Sequence, residues 1–161
     1  MDLYAYFERH VKPTPSKFFY IYNTRHMFKI LYGMAEIDNS YLRTEFELAK
    51  LWIHESWRTL CDRIADYADR KILFGKITEL ARKHFKIGKN KFTKKIGYPY
   101  FCPFNKGMDG VYTEVEDMKE TTLNLRKYLS EYNEVNKKSK INIVLFEFLV
   151  EFLIKIYRLI K

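Results

Sequence analysis

The chain has 161 residues, 47% apolar and 30% charged, which excludes a disordered tail and leaves room for one ordinary domain or two small helical units. With 6 Gly and 4 Pro there is little turn material for an all-β sandwich, whereas 13 Phe and 13 Tyr supply a substantial core. Lys and Arg number 29 against 20 acids, and the net charge of +9 permits contact with nucleic acid, anionic membrane or acidic protein without choosing among them.

A first helix is expected over Leu3–Lys12, ending before Pro13-Thr14-Pro15 because each proline disfavours helical geometry in the residue ahead of it. Phe18 to Tyr22 forms an aromatic approach to Asn23, a natural N-cap for a helix from Thr24 towards Met34. That helix is expected to turn Phe28 and Leu31 inward and to close at Gly33 and the polar run Asp38-Asn39-Ser40. Phe46, Ala49, Ile53, Trp57, Leu60, Ile64 and Tyr67 then recur at intervals of three and four, the stripe of one long helix. Its other face carries Glu55, Arg58 and Asp62 in salt-bridge register, Asp66 can pair with Arg70, and a further helix continues to about Phe85.

From Lys86 to Gly110 the pattern dissolves into Gly88, Gly97, Gly107, Pro99 and Pro103, with room for a short edge strand at Tyr98–Phe104. A second helical half restarts with Thr113 as N-cap and Glu116 three residues on, a capping box, followed by a stripe of Val115, Met118, Leu125, Leu129 and Tyr132. The basic connector Lys137-Lys138-Ser139-Lys140 leads to Ile141–Ile160, whose charges at Glu147, Glu151, Lys155 and Arg158 form one narrow polar stripe. Burying these in lipid would cost about 2.5–3.5 kcal/mol each at the bilayer centre, so a helix covered on most sides by protein is the better reading. The fold class expected is mainly α: about six helices in two sub-bundles joined by an irregular Gly/Pro-containing segment.

Motifs with chemistry are scarce. Cys61 and Cys102 match no CxxC spacing and read as reduced thiols of an intracellular protein, and MDLYAYFERHVK has no signal-peptide core. His10, His26, His54 and His84 fall on different elements without metal-ligand spacing, and no GxSxG, HExxH or GxxxxGK[ST] occurs. Glu114, Glu116 and Asp117 read as first-turn carboxylates that favour the positive end of a helix dipole. The basic run from Arg82 to Lys95, interleaved with Phe85 and Phe92, could suit a single-stranded nucleic acid, but a solvated lysine-rich loop has the same composition. The sequence thus offers no catalytic residue and no metal ligand.

Four stretches, taken together, resemble the dynein heavy chain, the AAA+ motor of microtubules. Pro13-Thr-Pro-Ser-Lys-Phe-Phe-Tyr-Ile-Tyr-Asn-Thr-Arg25 is similar to the family's "PTPxKxHYxFNLRD", which leads into the lid of the third AAA+ module. Leu51-Trp-Ile-His-Glu-Ser-Trp-Arg58 with Cys61-Asp-Arg-Ile64 resembles "LWxHExxRxxxDRL". Tyr132-Asn-Glu-Val-Asn136 and Ile141-Asn-Ile-Val-Leu-Phe-Glu147 are similar to "YNEVN…MNLVLFEDA" and look more axonemal than cytoplasmic. Their order and spacing agree across nearly the whole chain.

The resemblance implies lid and bridging helices of the third module over residues 1–86, a linker over 87–112, and the opening helices of the fourth module over 113–161. It implies nucleotide contact at Arg25, where the family places its lid arginine, and at Val144 and Leu145, near the adenine pocket of the fourth module. The cofactor implied is ATP or ADP with Mg in the parent ring. The family's phosphate-binding loop would follow within about a dozen residues of Lys161, so these residues by themselves are expected neither to bind a cofactor nor to hydrolyse ATP. The implied partners are the remaining modules of the heavy chain and, through the full motor, microtubules. No membrane or nucleic-acid partner is implied, and the setting is the cytoplasm, the cytoskeleton and the axoneme of a cilium or flagellum.

Two departures from the family bear on its function. The aspartate after the lid arginine is His26, and "EDAIEHVCRINRIL" reads Glu147-Phe-Leu-Val-Glu-Phe-Leu-Ile-Lys-Ile-Tyr-Arg-Leu-Ile160. The function expected is a structural piece of the motor that passes nucleotide-dependent motion between ring modules. The rival readings are a small basic helical nucleic-acid-binding protein and a membrane-peripheral protein anchored by the last helix.

Overall fold

A computed structural model describes residues 1–87, 99–104 and 110–160. Six α-helices and one two-stranded sheet are present among them, which makes the fold mainly α. The chain divides into two compact units, Met1–Pro99 and Tyr100–Lys161.

The first unit begins with α1 (Asp2–His10), which buries Leu3 and Phe7 and stops ahead of Pro13. Helix α2 (Thr24–Ala35) follows an extended Asn23 at its N-cap. Its inward face is not the one expected. Phe28 is 71% exposed and Leu31 60%, while Ile30 and Gly33 are buried with Met27 and Met34 packed beside them. Apolar residues lie all round this helix, and the series at three-to-four spacing through Ile30 is the one that packs on α3 and the turn after it. Gly33 sits inside α2 and does not end it.

A 3-10 turn at Asn39–Tyr41, capped by the Asp38 carboxylate, leads to α3 (Glu45–Ser56). Thr44 and Glu47 form a capping box there: Thr44 Oγ1 accepts from the Glu47 amide at 3.2 Å, and Glu47 Oε2 accepts from the Thr44 amide at 3.0 Å. The single long helix expected through Tyr67 breaks. Trp57–Cys61 forms a π-helical turn, and α4 (Tyr67–His84) starts afresh behind Asp66, whose carboxylate accepts from Ala68 at 2.8 Å. Tyr67 is therefore an exposed first-turn residue and not part of the stripe. The core joins Phe7, Ala49, Ile53, Leu60, Ile64, Ile77 and Ala81, all fully buried.

In the second unit β1 (Phe101–Cys102) pairs antiparallel with β2 (Thr113–Glu114), Cys102 opposite Thr113. This ladder overturns the expected cap at Thr113: its side chain is buried in the sheet, and Asp117 caps α5 (Met118–Val135) through a 2.8 Å bond from the Lys119 amide. Glu114 is likewise a strand residue and not a first-turn acid. Of the expected strand at Tyr98–Phe104, Tyr98 lies outside the described residues, as do Gly88, Gly97 and Gly107. On α5 the deepest side chains are Thr121 and Thr122, whose hydroxyls donate to the carbonyls of Asp117 and Met118 four residues back, at 3.1 and 2.7 Å. Tyr132, expected in the stripe, is exposed.

Helix α6 (Glu147–Ile160) is shorter than the expected 141–160, because residues 141–146 carry no helix. Val150 and Ile154 pack with Cys102, flanked by Tyr100, Phe104, Val115, Met118 and Leu125. The expectation of a helix covered on most sides fails, since Phe148, Phe152, Ile156, Leu159 and Ile160 are exposed. No helix among the described residues is long and apolar enough to cross a membrane.

Candidate functional site

The approach to α2 is held by its own motif residues. Lys17 Nζ reaches Asp69 Oδ2 at 2.5 Å and Asp66 Oδ2 at 3.1 Å on α4. Hydrogen bonds to these two carboxylates hold the ammonium well above the usual lysine range, and the Lys17 bond depresses Asp66 in turn. Tyr20 also donates to Asp69, at 3.2 Å. The Tyr22 hydroxyl donates to the Leu60 carbonyl at 3.0 Å, and its ring meets Phe7 edge-on at 4.8 Å; burial raises its pKa strongly. Asp66 was expected to serve Arg70. It serves Lys17 instead, and Arg70 Nε donates to the Ile64 carbonyl.

These bonds fix where α2 begins, and so where Arg25 stands. Arg25 is in the first turn, exposed, with no hydrogen bond or ion pair among the described residues. No acidic residue lies in that first turn. A cation near the positive end of a helix dipole is unfavourable by roughly 0.3–1 kcal/mol unless an anion compensates it. His26, one residue on, turns the other way, and its Nε2 lies 2.9 Å from Arg63 Nη2.

The second motif builds the interior of the joint. His54, Glu55 and Ser56 at the end of α3 are fully buried, and the His54 ring donates from Nδ1 to the Pro99 carbonyl at 2.9 Å. Arg58 pairs with Asp62 at 3.0 Å as its spacing predicts. The set Glu55, Arg58 and Asp62 was expected on an outer face, yet Glu55 and Arg58 are buried. Glu55 is buried at the end of α3, ahead of the π turn, and Arg58 is buried within it. Cys61, in the same turn, is buried, and burial pushes its thiol far up.

In the second unit Val144 and Leu145 part company: Val144 is 81% exposed and Leu145 only 7%. Both lie on the non-helical stretch before α6. Arg126 Nη2 donates to the Leu145 carbonyl at 3.1 Å. Asn133 clamps the start of the stretch, donating from Nδ2 to the Ile141 carbonyl at 2.9 Å and accepting the Ile141 amide on Oδ1 at 2.8 Å. Thus Asn133 of the third motif, together with Arg126, holds the fourth, a role that spacing alone did not reveal for either residue.

Of the basic run Arg82–Lys95, residues 88–95 lie outside the described residues. Lys83 is engaged by Asp2 at 3.4 Å, and Phe85 packs on the core with its ring 6.1 Å from Trp52, so Phe85 is not an open platform for a base. No cluster of three or more potential metal ligands occurs among the described residues.

Residues 3–94 match the AAA+ lid domain family. The chain is also similar to dynein axonemal heavy chain 3 of Homo sapiens, at 28% identity over 92% of this chain and 4% of that protein. It is similar to dynein axonemal heavy chain 6 of Homo sapiens, at 29% over 100% of this chain and 4% of the relative. Dynein axonemal heavy chain 17 of Mus musculus is 33% identical over 92% of this chain and 3% of its own length. The chain thus spans only about 4% of the length of relatives such as heavy chains 3 and 6. With helices α1–α4 folded over the described part of the matched residues and axonemal heavy-chain similarity along nearly its whole length, the chain belongs to the AAA+ lid domain family.

Proposed function

We propose that this chain is a structural part of the AAA+ ring of an axonemal dynein heavy chain, working in the axoneme and passing nucleotide-dependent movement from one module to the next. Residues 1–86 serve as lid and bridging helices of the third module, 87–112 as linker, and 113–161 as the opening helices of the fourth. Its immediate partners are the other modules of the heavy chain, and microtubules are met through the whole motor. The ring's nucleotide is ATP or ADP with Mg, with Arg25 bridging phosphate oxygens of the third module's nucleotide and Val144 and Leu145 lying by the adenine of the fourth's.

The observation that carries this reading is Arg25. An arginine in the first turn of α2, without an acid in that turn and without a partner among the described residues, suits a planar donor set awaiting an anion. A lid transmits motion because nucleotide contacts favour one of its orientations, which biases a rigid-body movement of the whole helical unit. The internal bonds from Lys17, Tyr20 and Tyr22 to α4 and the π turn tie the nucleotide-facing helix to the rest of the unit, so that it moves as one piece.

The test is the size and place of the native product. Peptides of this sequence should come from a polypeptide far larger than 19.6 kDa extracted from isolated axonemes. Recovery only as a small protein absent from axonemes would overturn the proposal.

A further inference from the structure

The residue after Arg25 departs from the family motif, and its surroundings give the departure a consequence. Arg63 Nη2 lies 2.9 Å from His26 Nε2, Arg63 Nη1 donates to the Ile21 carbonyl at 3.2 Å, and the guanidinium sits 5.5 Å from the Tyr22 ring centre. A guanidinium has donors only, so Nε2 must accept, and the imidazole is neutral with its proton on Nδ1. Nδ1 stands 3.2 Å from the Asn23 carbonyl, which takes that proton, and 3.1 Å from the Asn23 amide, which donates to Nδ1 in the other tautomer; the Arg63 contact at Nε2 selects the first. One ring thus joins the N-cap residue of α2 to the turn that follows α3.

We propose that Arg63 is a positioning residue for Arg25, holding the first turn of α2 through a contact with His26 that opens when the imidazole takes a second proton. Protonation puts an N–H opposite the guanidinium N–H groups and sets two positive charges against each other at hydrogen-bond distance. Burial holds the imidazole below its usual range, and the charges of Arg63, from the turn after α3, and Lys29, one turn along α2, lower it further. The Tyr22 ring is also near, at 6.0 Å, but its hydroxyl is committed to the Leu60 carbonyl. Among the described residues no carboxylate is one of the groups that shift the ring. An aspartate in this place would keep accepting from Arg63 down to about pH 4. The histidine makes the hold dependent on pH in the range where cells vary it. Its bearing on nucleotide contact rests on the function proposed for Arg25, whereas the contact itself does not.

The experiment is nitrogen NMR of the His26 ring in the 161-residue chain, without nucleotide, from pH 8 to 5. The expected result is the Nδ1–H tautomer at neutral pH and a titration midpoint below 6.5, with the protection of amides 24–27, taken relative to their intrinsic exchange rate at each pH, falling several-fold as the ring protonates. In His26→Asp the same amides should stay protected through pH 5, and Arg63→Gln should expose them at every pH. An Nε2–H tautomer at neutral pH, a midpoint at or above 6.5, or exchange in His26→Asp that follows the parent's pH profile would overturn the proposal. The tautomer and midpoint are read on the unaltered chain, so they decide even where a variant fails to fold. Because no nucleotide is present, they fail or succeed independently of any role of Arg25 at phosphate.

Discussion

Replacing Asn133 with alanine tests how the second unit presents Val144 and Leu145. The Asn133 side chain imitates a strand partner, giving one bond to the Ile141 carbonyl and taking one from the Ile141 amide, at 2.9 and 2.8 Å. The intervening turn is held by Asn136 Nδ2 on the Tyr132 carbonyl at 3.1 Å and the Ser139 amide on the Asn136 carbonyl at 3.0 Å. Each bond is solvent-exposed and contributes near the low end of about 0.5–1.5 kcal/mol, so their joint loss costs about 1–2 kcal/mol of local stability. The stretch 141–146 would then depend on Arg126 at the Leu145 carbonyl and on burial of the Leu145 side chain. Hydrogen exchange at the Ile141 amide should speed up by roughly 5–30-fold while helix content by circular dichroism is kept. Asn133→Asp, which keeps the acceptor and loses the donor, should fall between parent and alanine variant. Unchanged protection at Ile141 in Asn133→Ala would refute the reasoning and show that water replaces both bonds without cost.

Arg25→Ala should leave the free energy of unfolding in urea within about 0.5 kcal/mol of the parent, because the side chain is exposed and without a partner among the described residues; a loss well above that would make Arg25 a packing residue. Phe7→Ala should destabilise the first unit by about 3–5 kcal/mol in urea unfolding, since Phe7 is fully buried between α1 and the Tyr22 ring; a loss below 1 kcal/mol would contradict the docking of α1. Burial raises the Cys102 thiol to about 12 from its ordinary 9.0. Above pH 9 the unfolded thiol loses its proton before the folded one does, so stability is flat below about pH 9 and falls as pH rises towards 12. Urea midpoints at pH 8, 9.5 and 10.5 should show this fall in the parent and a smaller one in Cys102→Ala; equal slopes would count against a buried neutral thiol.

Local chemistry made several boundaries legible in the sequence. Pro13 and Pro15 end α1, Asn23 opens α2, and the lysine- and histidine-rich end of α4 lies where the periodic pattern fades. What local pattern could not supply was the choice between two plausible faces or partners. Helix α2 carries Phe28 and Leu31 on one side and Met27, Ile30 and Met34 on the other, and only contact with α3 selects the second. The stripe from Phe46 stays buried as far as Leu60, inside the π turn, and Ile64, just after it, so the apolar spacing hides the break, and only Tyr67 falls outside it. Asp66 was the available sign of a new helix start, an acid at an N-cap position read as an ion-pair partner. Thr113 is a good cap in isolation and a good strand residue beside Cys102, and the ladder wins because it buries the side chain.

The motif residues fall into two kinds once their surroundings are known. Lys17, Tyr20, Tyr22, His54 and Asn133 each make a named bond that joins one segment to another, and Arg58 pairs within its own turn with Asp62. Their pattern is explained by folding, and a chain could keep them for that reason alone. Arg25 differs: it belongs to the same motif as Lys17 and Tyr22, yet it touches no partner among the described residues and stands where the helix dipole disfavours a cation. A residue that breaks a local rule without compensation inside its own unit is where function is to be sought. The stapling of the approach to its helix onto α4 by Lys17 and Tyr20 makes that place mechanically useful, since a pull on Arg25 is a pull on the packed helices α1–α4.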